Sequence, residues 1–198
     1  VGSKYSFRMD TTVLPIMKNA GIDIVSFANN HAGDWAKPAF NDTLARLTLS
    51  GISYTGAGAN KSAVKEPTII MKNGLRIGYL AFTDVGPNWL EATEDSSGIL
   101  LASDPDFKTI IRDASQKVDI LVTSFHWGNE YVAFNTRQQS LAYSAIENGA
   151  DLVIGHHPHV IQAVEEYKDG LIAYSLGNLI FDQYFSVETM QGLLLEVE

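Results

Sequence analysis

Cysteine is absent from the chain, which excludes disulfides and thiolate metal ligands. Any bound metal must therefore be held by His, Asp, Glu, Asn or water. Positive charge is scarce: 14 Lys and Arg stand against 23 Asp and Glu, a formal net charge of -9 at pH 7. No basic run occurs. That argues against nucleic acid as a partner, because neutralising phosphates needs clustered Lys and Arg. Long apolar runs are also missing, and none approaches the ~18 residues of a membrane span. No low-complexity segment or linker divides the chain. What is present is 198 residues, 45% apolar and 19% charged. That is enough for one domain over residues 1–198 with a sizeable core.

Helix and strand patterns alternate, which predicts an α/β fold. Residues 11–20 read as a short helix closed by Gly21, followed by a strand over 22–27. Pro38 suits a first helical turn and predicts a helix turning Phe40, Leu44 and Leu47 to one side. Lys72-Asn73-Gly74, between apolar runs at 67–71 and 75–82, is a hairpin signal. Residues 84–103 carry Gly86-Pro87 and Asp95-Ser96-Ser97-Gly98 with little periodicity, and read as a long surface loop or lid. Gly56-Ala57-Gly58-Ala59-Asn60 lacks the spacing of a phosphate loop and reads as an ordinary loop. Asp104-Pro105 predicts an N-cap and first turn for a helix reaching about residue 118. Thr136 is the predicted cap of another, which buries Leu141, Ala142, Ala145 and Ile146. Residues 170–175 and 192–197 read as the last strands. Apolar runs without alternation, such as 120–125, imply strands covered on both faces. A mixed sheet, or two sheets back to back with helices outside, fits this pattern.

All five histidines stand where an apolar strand run ends: His31, His126, and His156, His157 and His159. Ligands collect outside the carboxyl ends of strands in open α/β sheets. Imidazoles arriving there from several strands point to a metal site. His157 and His159 lie two apart in an extended segment and share a face, whereas His156 has the opposite phase. After His126, Glu130 either orients an imidazole from behind or is simply solvated. In Asn29-Asn30-His31-Ala32-Gly33-Asp34, the functional reading gives Asn30 a carbonyl oxygen on the metal and His31 a proton-transfer role. Asp34 then either bonds His31 or caps the next helix, and the cap is the favoured reading. Asn178 and Asp182 follow a further strand and either line the same crevice or form a turn and a cap.

The segments KYSFR, AGIDIVSFANNHAGD, DTLARLTLSGISYTGAGAN, DILVTSFHWGNEY and NGADLVIGHHPHVIQAVEEYKDGLIAYSLGNLIFDQ cover nearly the whole chain. In these segments it resembles the CapA family of bacterial capsule and poly-γ-glutamate biosynthesis proteins, within the calcineurin-like metallophosphoesterase superfamily. The order and spacing of ANNH, HWG and GHHPH make the resemblance specific. It implies an αββα sandwich of two mixed sheets with flanking helices. It implies a divalent metal, with Asn30, His126, His157 and His159 as ligands and His31 as general acid. Without sulfur ligands, Zn, Mn or Fe is the expected ion. Two further family motifs, a Gly-Asp and an Asn-Leu-Glu-like segment, normally precede KYSFR, and the family usually continues past the last strand seen here. The expectation is a piece shortened at both ends, with a weakly or incompletely filled metal site.

The resemblance also implies a metal-dependent hydrolase-like domain acting in synthesis, anchoring or release of poly-γ-glutamate or a capsular polymer. The implied location is the cell surface, extracytoplasmic and membrane-associated in the full-length protein. Residues alone leave open whether a phosphoester or a γ-glutamyl amide is broken. They also leave open a non-catalytic accessory subunit of a membrane synthase, or a phosphodiesterase by superfamily analogy. A polyanionic polymer would need the metal or a local basic patch, for which Lys4, Arg8 and Arg137 are the candidates.

Overall fold

A computed structural model describes residues 5–197. Lys4, one of the three cationic candidates, lies outside the described residues. The chain begins with α1 (Val13–Asn19), β1 (Ile24–Ser26), α2 (Ala36–Leu49), β2 (Ser53–Thr55), β3 (Ala57–Gly58) and α3 (Lys61–Lys65). It continues through β4 (Thr68–Lys72), β5 (Leu75–Thr83), β6 (Gly98–Ile99), α4 (Phe107–Ser115) and β7 (Ile120–His126). It ends with α5 (Thr136–Glu147), β8 (Leu152–His156), β9 (Val164–Tyr167) and β10 (Gly170–Ala173).

The main sheet has six strands in the order β4-β5-β7-β8-β10-β9. Its centre is parallel, and the edge strands β4 and β9 run antiparallel to their neighbours. The β4–β5 turn is the one its sequence demands. Asn73 (φ 52°) and Gly74 (φ 82°) are both left-handed, as a two-residue hairpin turn of this hand requires. One face of the sheet packs against α4 and α5, where Phe107, Ile111, Leu141 and Ala142 meet Leu80, Phe82, Phe125 and Val153. A second layer carries the two-stranded β1–β2 and β3–β6 pairs. Thr55 seats β2 on the main sheet by donating its hydroxyl to the Tyr79 carbonyl at 2.8 Å. Phe40 and Leu44 of α2 close a second core over Ala57, Leu90, Ile99 and Leu101. The architecture is the expected α/β class, a mixed sheet with flanking helices.

Several local expectations are corrected. The segment 84–103 is not a surface loop or a lid. Leu90, Ile99, Leu100, Leu101 and Ala102 are buried, and β6 pairs with β3. Its apolar residues are shared between two cores, Leu90, Ile99 and Leu101 under α2 and Ala92, Leu100 and Ala102 in the core of the main sheet, so no one-sided period marks them. Ala57 and Gly58 thus form a strand where a loop was expected. Helix α4 starts at Phe107, not after Asp104. The Asp104 carboxylate is nearly inaccessible and faces Lys65 at 3.3 Å, and its other bond, from the Asp106 N–H, forms a turn ahead of the helix. Asn135, not Thr136, caps α5, through a reciprocal capping box with Gln138. Helix α2 begins at Ala36, two residues before Pro38, and β1 is shorter than predicted. Residues 192–197 form no strand, and one bridge between Gly177 and Gly192 joins them to the fold. Apolar content alone makes no strand where no neighbouring edge accepts it.

Gly155 and Trp127 lock the ends of three parallel strands. The buried Trp127 indole N–H donates to the Tyr174 carbonyl at 2.8 Å. That contact passes through the space a Cβ on Gly155 would fill, so an added methyl would collide with the Tyr174 backbone and the indole nitrogen. Gly155→Ala should therefore cost about 3 kcal/mol or more, from overpacking plus an orphaned indole N–H. Gly74→Ala meets no neighbour but is held at φ 82°, so it should cost only about 1–2 kcal/mol. Chemical denaturation midpoints of the two variants check the ranking, and equal losses would contradict it.

Candidate metal centre

Strands β7 and β8 end side by side, with His126 in register with His156. Beyond them the chain places His157 and His159. The His126 and His157 rings lie 4.8 Å apart, and those of His157 and His159 lie 6.1 Å apart. Burial, and then the other four imidazoles, hold His126 well below the usual histidine range. The other four histidines all lie close enough to His126 to act on its charge. Burial also pushes His156 down to about 4. It lowers His157 as well, against the opposing pull of Glu130. Neutral imidazoles keep a nitrogen lone pair, which is what metal ligation needs.

Ligand-type atoms of Glu130, His157 and His159 all lie within 4.8 Å of one another. Two imidazoles and a carboxylate, with no sulfur, suit a borderline or hard divalent cation, so the residues fit the implied metal. Three neighbouring non-glycine residues are left-handed here: Tyr131 (φ 64°), His157 (φ 98°) and His159 (φ 59°). Such strain persists only where surrounding structure enforces it, and it concentrates at functional sites.

Asn30 and His126 stand beside this group but bond each other, the imidazole Nε2 lying 2.8 Å from the Asn30 Oδ1. A carbonyl oxygen can only accept, so His126 carries its proton on Nε2. The Asn30 amide nitrogen lies 3.3 Å from the His31 Nε2. On the far side, the His31 Nδ1 lies 2.9 Å from the Asp34 Oδ2. The chain of bonds is self-consistent: His126 to Asn30, Asn30 to His31, His31 to Asp34. Asp34 is thus not the helix cap that the sequence predicts. Trp35 precedes α2 and caps it with no side-chain bond, while Asp34 is occupied by His31 and by the Phe7 N–H at 2.8 Å.

Asn178 does line the crevice, with its Oδ1 2.9 Å from the His159 Nδ1. Asp182 is exposed and stands outside the grouped ligand atoms. His156 is desolvated but is not one of the grouped ligands. Of the cationic candidates, Arg137 is committed to Asp84 at 2.7 Å and Arg8 lies over the Trp35 ring at 5.4 Å. The sequence reading missed the aromatic surround. Phe7 meets His31 edge-on at 4.5 Å, and Tyr131 and Phe181 lie 5.8 and 5.1 Å from His159. These residues sit in irregular segments, where no period marks them.

The profile of the family described as "Bacterial capsule synthesis protein PGA_cap" matches residues 1–183. The PGA biosynthesis protein CapA of Bacillus subtilis is 38% identical over 170 residues, 85% of this chain and 45% of that protein. The capsule biosynthesis protein CapA of Bacillus anthracis is 38% identical over 173 residues, 84% of this chain and 42% of that protein. The chain thus spans less than half the length of these two relatives. Among solved structures, a Staphylococcus aureus protein provisionally titled a 5′-nucleotidase, in complex with alpha-ketoglutarate, superposes with a TM-score of 0.58. It shares 15% identity and covers 84% of this chain and 34% of its own, so the likeness is one of fold.

The hydrogen bonds fix imidazole tautomers, which nitrogen-detected NMR of the metal-free protein can read. His159 and His31 should be Nδ1–H tautomers, and His126 should be Nε2–H. Asn178→Leu should release His159 to a tautomeric mixture and leave His31 unchanged. A wild-type His159 protonated on Nε2 would contradict the arrangement.

Proposed function

The chain belongs to the PGA_cap family of bacterial capsule synthesis proteins, and from that premise we propose a metal-dependent hydrolase-like domain of a capsule or poly-γ-glutamate biosynthesis protein. The observation that carries this reading is the grouping of Glu130, His157 and His159 within 4.8 Å, beside a His31 turned by Asp34. A divalent ion held by Glu130, His157 and His159, with Asn30 and His126 adjacent, would polarise a phosphoryl or carbonyl oxygen and lower the pKa of a bound water. The donor set favours Zn, Mn or Fe.

The chain's own residues supply orientation and proton transfer. Asp34 holds the Nδ1 of His31, so Nε2 faces the centre. As found, Nε2 accepts from the Asn30 amide, so to hand a proton to the leaving oxygen or nitrogen it would first have to gain that proton and leave this contact. The edge of Phe7 shields one side of the same ring from water. Asn178 fixes His159 in the same way, through Nδ1.

The relatives' names support a role in PGA or capsule biosynthesis, and anchoring or release of the polymer at the cell surface is part of the proposal. An extracytoplasmic, membrane-associated location and contact with membrane synthase subunits belong to this proposal. Among the described residues no helix is long and apolar enough to cross a membrane.

Histidine variants test the assignment. His159→Ala should lower metal affinity, and added metal should partly restore turnover. His31→Ala should keep metal content near wild type while kcat falls by roughly 10²–10⁴-fold. Bis-p-nitrophenyl phosphate and γ-glutamyl-p-nitroanilide serve as probes of the two bond classes, each assayed with and without chelator. If neither variant changes any hydrolysis while polymer binding survives chelation, the domain is an accessory subunit instead.

A further inference from the structure

Asp34 and Trp35 are consecutive, and their side chains clasp one distant residue from both sides. The Asp34 Oδ2 accepts the Phe7 N–H at 2.8 Å, and the Trp35 indole N–H donates to the Phe7 carbonyl at 2.9 Å. Arg8 adds a third tie, its guanidinium lying 5.4 Å from the centre of the Trp35 ring. Phe7 is part of no helix or strand, so these side chains stand in for the ladder that would otherwise hold its backbone.

The clasped residue touches the pair of His31 and Asp34 twice. Its ring meets the His31 ring edge-on at 4.5 Å. Its N–H reaches Oδ2 of Asp34, the same oxygen that lies 2.9 Å from the His31 Nδ1. That carboxylate oxygen therefore serves two partners, one on the ring and one on the clasped backbone.

Helix α2 gives up a good start to allow this. Position 35 is its N-cap, where Ser, Thr, Asp or Asn is preferred, and Trp35 makes no capping bond. Ala36 is left-handed at φ 65° without being glycine, a strain that persists only where its surroundings enforce it. Asp34, a capping residue by type, is turned away to His31 and Phe7. The first turn of α2 thus has N–H groups without a side-chain acceptor, and they compete for that carboxylate. A second donor on Oδ2 biases Asp34 toward His31. Burial does not account for the indole bond, because Trp35 is 41% exposed and a ring this open is not forced to find a protein partner. What the bond adds is the placement of Phe7.

We propose that Trp35 is a positioning residue for His31. It acts through the backbone of Phe7, whose N–H keeps the Asp34 carboxylate on the His31 Nδ1 and off the first turn of α2. The consequence for turnover rests on the hydrolase reading, and the consequence for the ring does not.

Trp35→Phe keeps an aromatic ring and removes the N–H. Nitrogen-detected NMR of the metal-free variant should show His31 passing from the Nδ1–H tautomer to a mixture, with weaker nuclear Overhauser contacts between the Phe7 and His31 rings. The His159 tautomer, zinc uptake and melting temperature should stay as in wild type. Phe7→Leu is the second variant. It removes the ring and keeps the N–H, so His31 should remain Nδ1–H. On whichever of the two chromogenic probes the wild type hydrolyses, Trp35→Phe should lower kcat by roughly 3–10-fold, the worth of one hydrogen bond, with KM unchanged. A tryptophan that merely pins a chain segment would leave the His31 tautomer and kcat alone and lower the melting temperature, and that result would overturn the proposal. Loss of the Nδ1–H tautomer in Phe7→Leu would overturn it too, because the ring and not the backbone would then be the holder. The two readings fail separately. A His31 released in Trp35→Phe, in a protein that hydrolyses neither probe, would remove the hydrolase and keep the positioning role. Hydrolysis by the wild type with His31 unmoved in Trp35→Phe would remove the positioning role and keep the hydrolase.

Discussion

One buried indole holds the working edge of this molecule together. Trp127 has no solvent exposure, stacks on Phe125 at 4.6 Å, and gives its N–H to the Tyr174 carbonyl. An indole N–H left unpaired at that depth would cost free energy comparable to a lost hydrogen bond. The bond is possible only because position 155 has no side chain. The backbone adds a further tie, since the Trp127 N–H donates to the His156 carbonyl at 3.1 Å. These bonds fix the ends of β7, β8 and β10 relative to one another. The neighbouring residues at those strand ends are the candidates for the centre: His126, then His156 to His159, then Asn178. The geometry of the centre is inherited from a packing constraint one residue away.

Electrostatics then decides the state of the imidazoles. A surface with formal net charge -9 would favour protonated histidine if the rings were exposed. Burial wins instead for His126, His156 and His157. Their mutual proximity adds to burial for His126, because each charged ring would repel the others. The outer partners are sorted by the same logic. His31 faces a carboxylate through Nδ1. His159 faces an amide carbonyl through the same atom, which aims the ring.

Much of this was legible in the sequence for specific reasons. Apolar runs ending in polar residues mark strand ends, so the convergence of histidines followed from His31, His126 and His156 to His159 alone. Asn73-Gly74 named its own turn. What was not legible depended on distant partners. Asp104 looks like a cap until Lys65 claims it. Asp34 looks like a cap until His31 and Phe7 claim it. Glu130 is an exposed loop acid of a kind that is usually solvated, and only the fold brings it to His157 and His159. The segment 84–103 lacks a one-sided period because its side chains are divided between the core under α2 and the core of the main sheet.

The centre has two parts with different readiness for a cation. In the group of Glu130, His157 and His159, the Nδ1 of His159 is engaged by Asn178, which leaves its Nε2 lone pair unprotonated. Asn30 and His126 instead satisfy each other, with a proton on the His126 Nε2. Use of the same two atoms as ligands requires that bond to open and that proton to leave. The Asn30 amide would also have to keep, or give up, its contact with His31, because one side chain serves both. Occupancy of that second position is therefore coupled to the placement of the proton donor, whereas occupancy of the first is not. Asn30, a single uncharged side chain, links the candidate ligand His126 to the candidate acid His31.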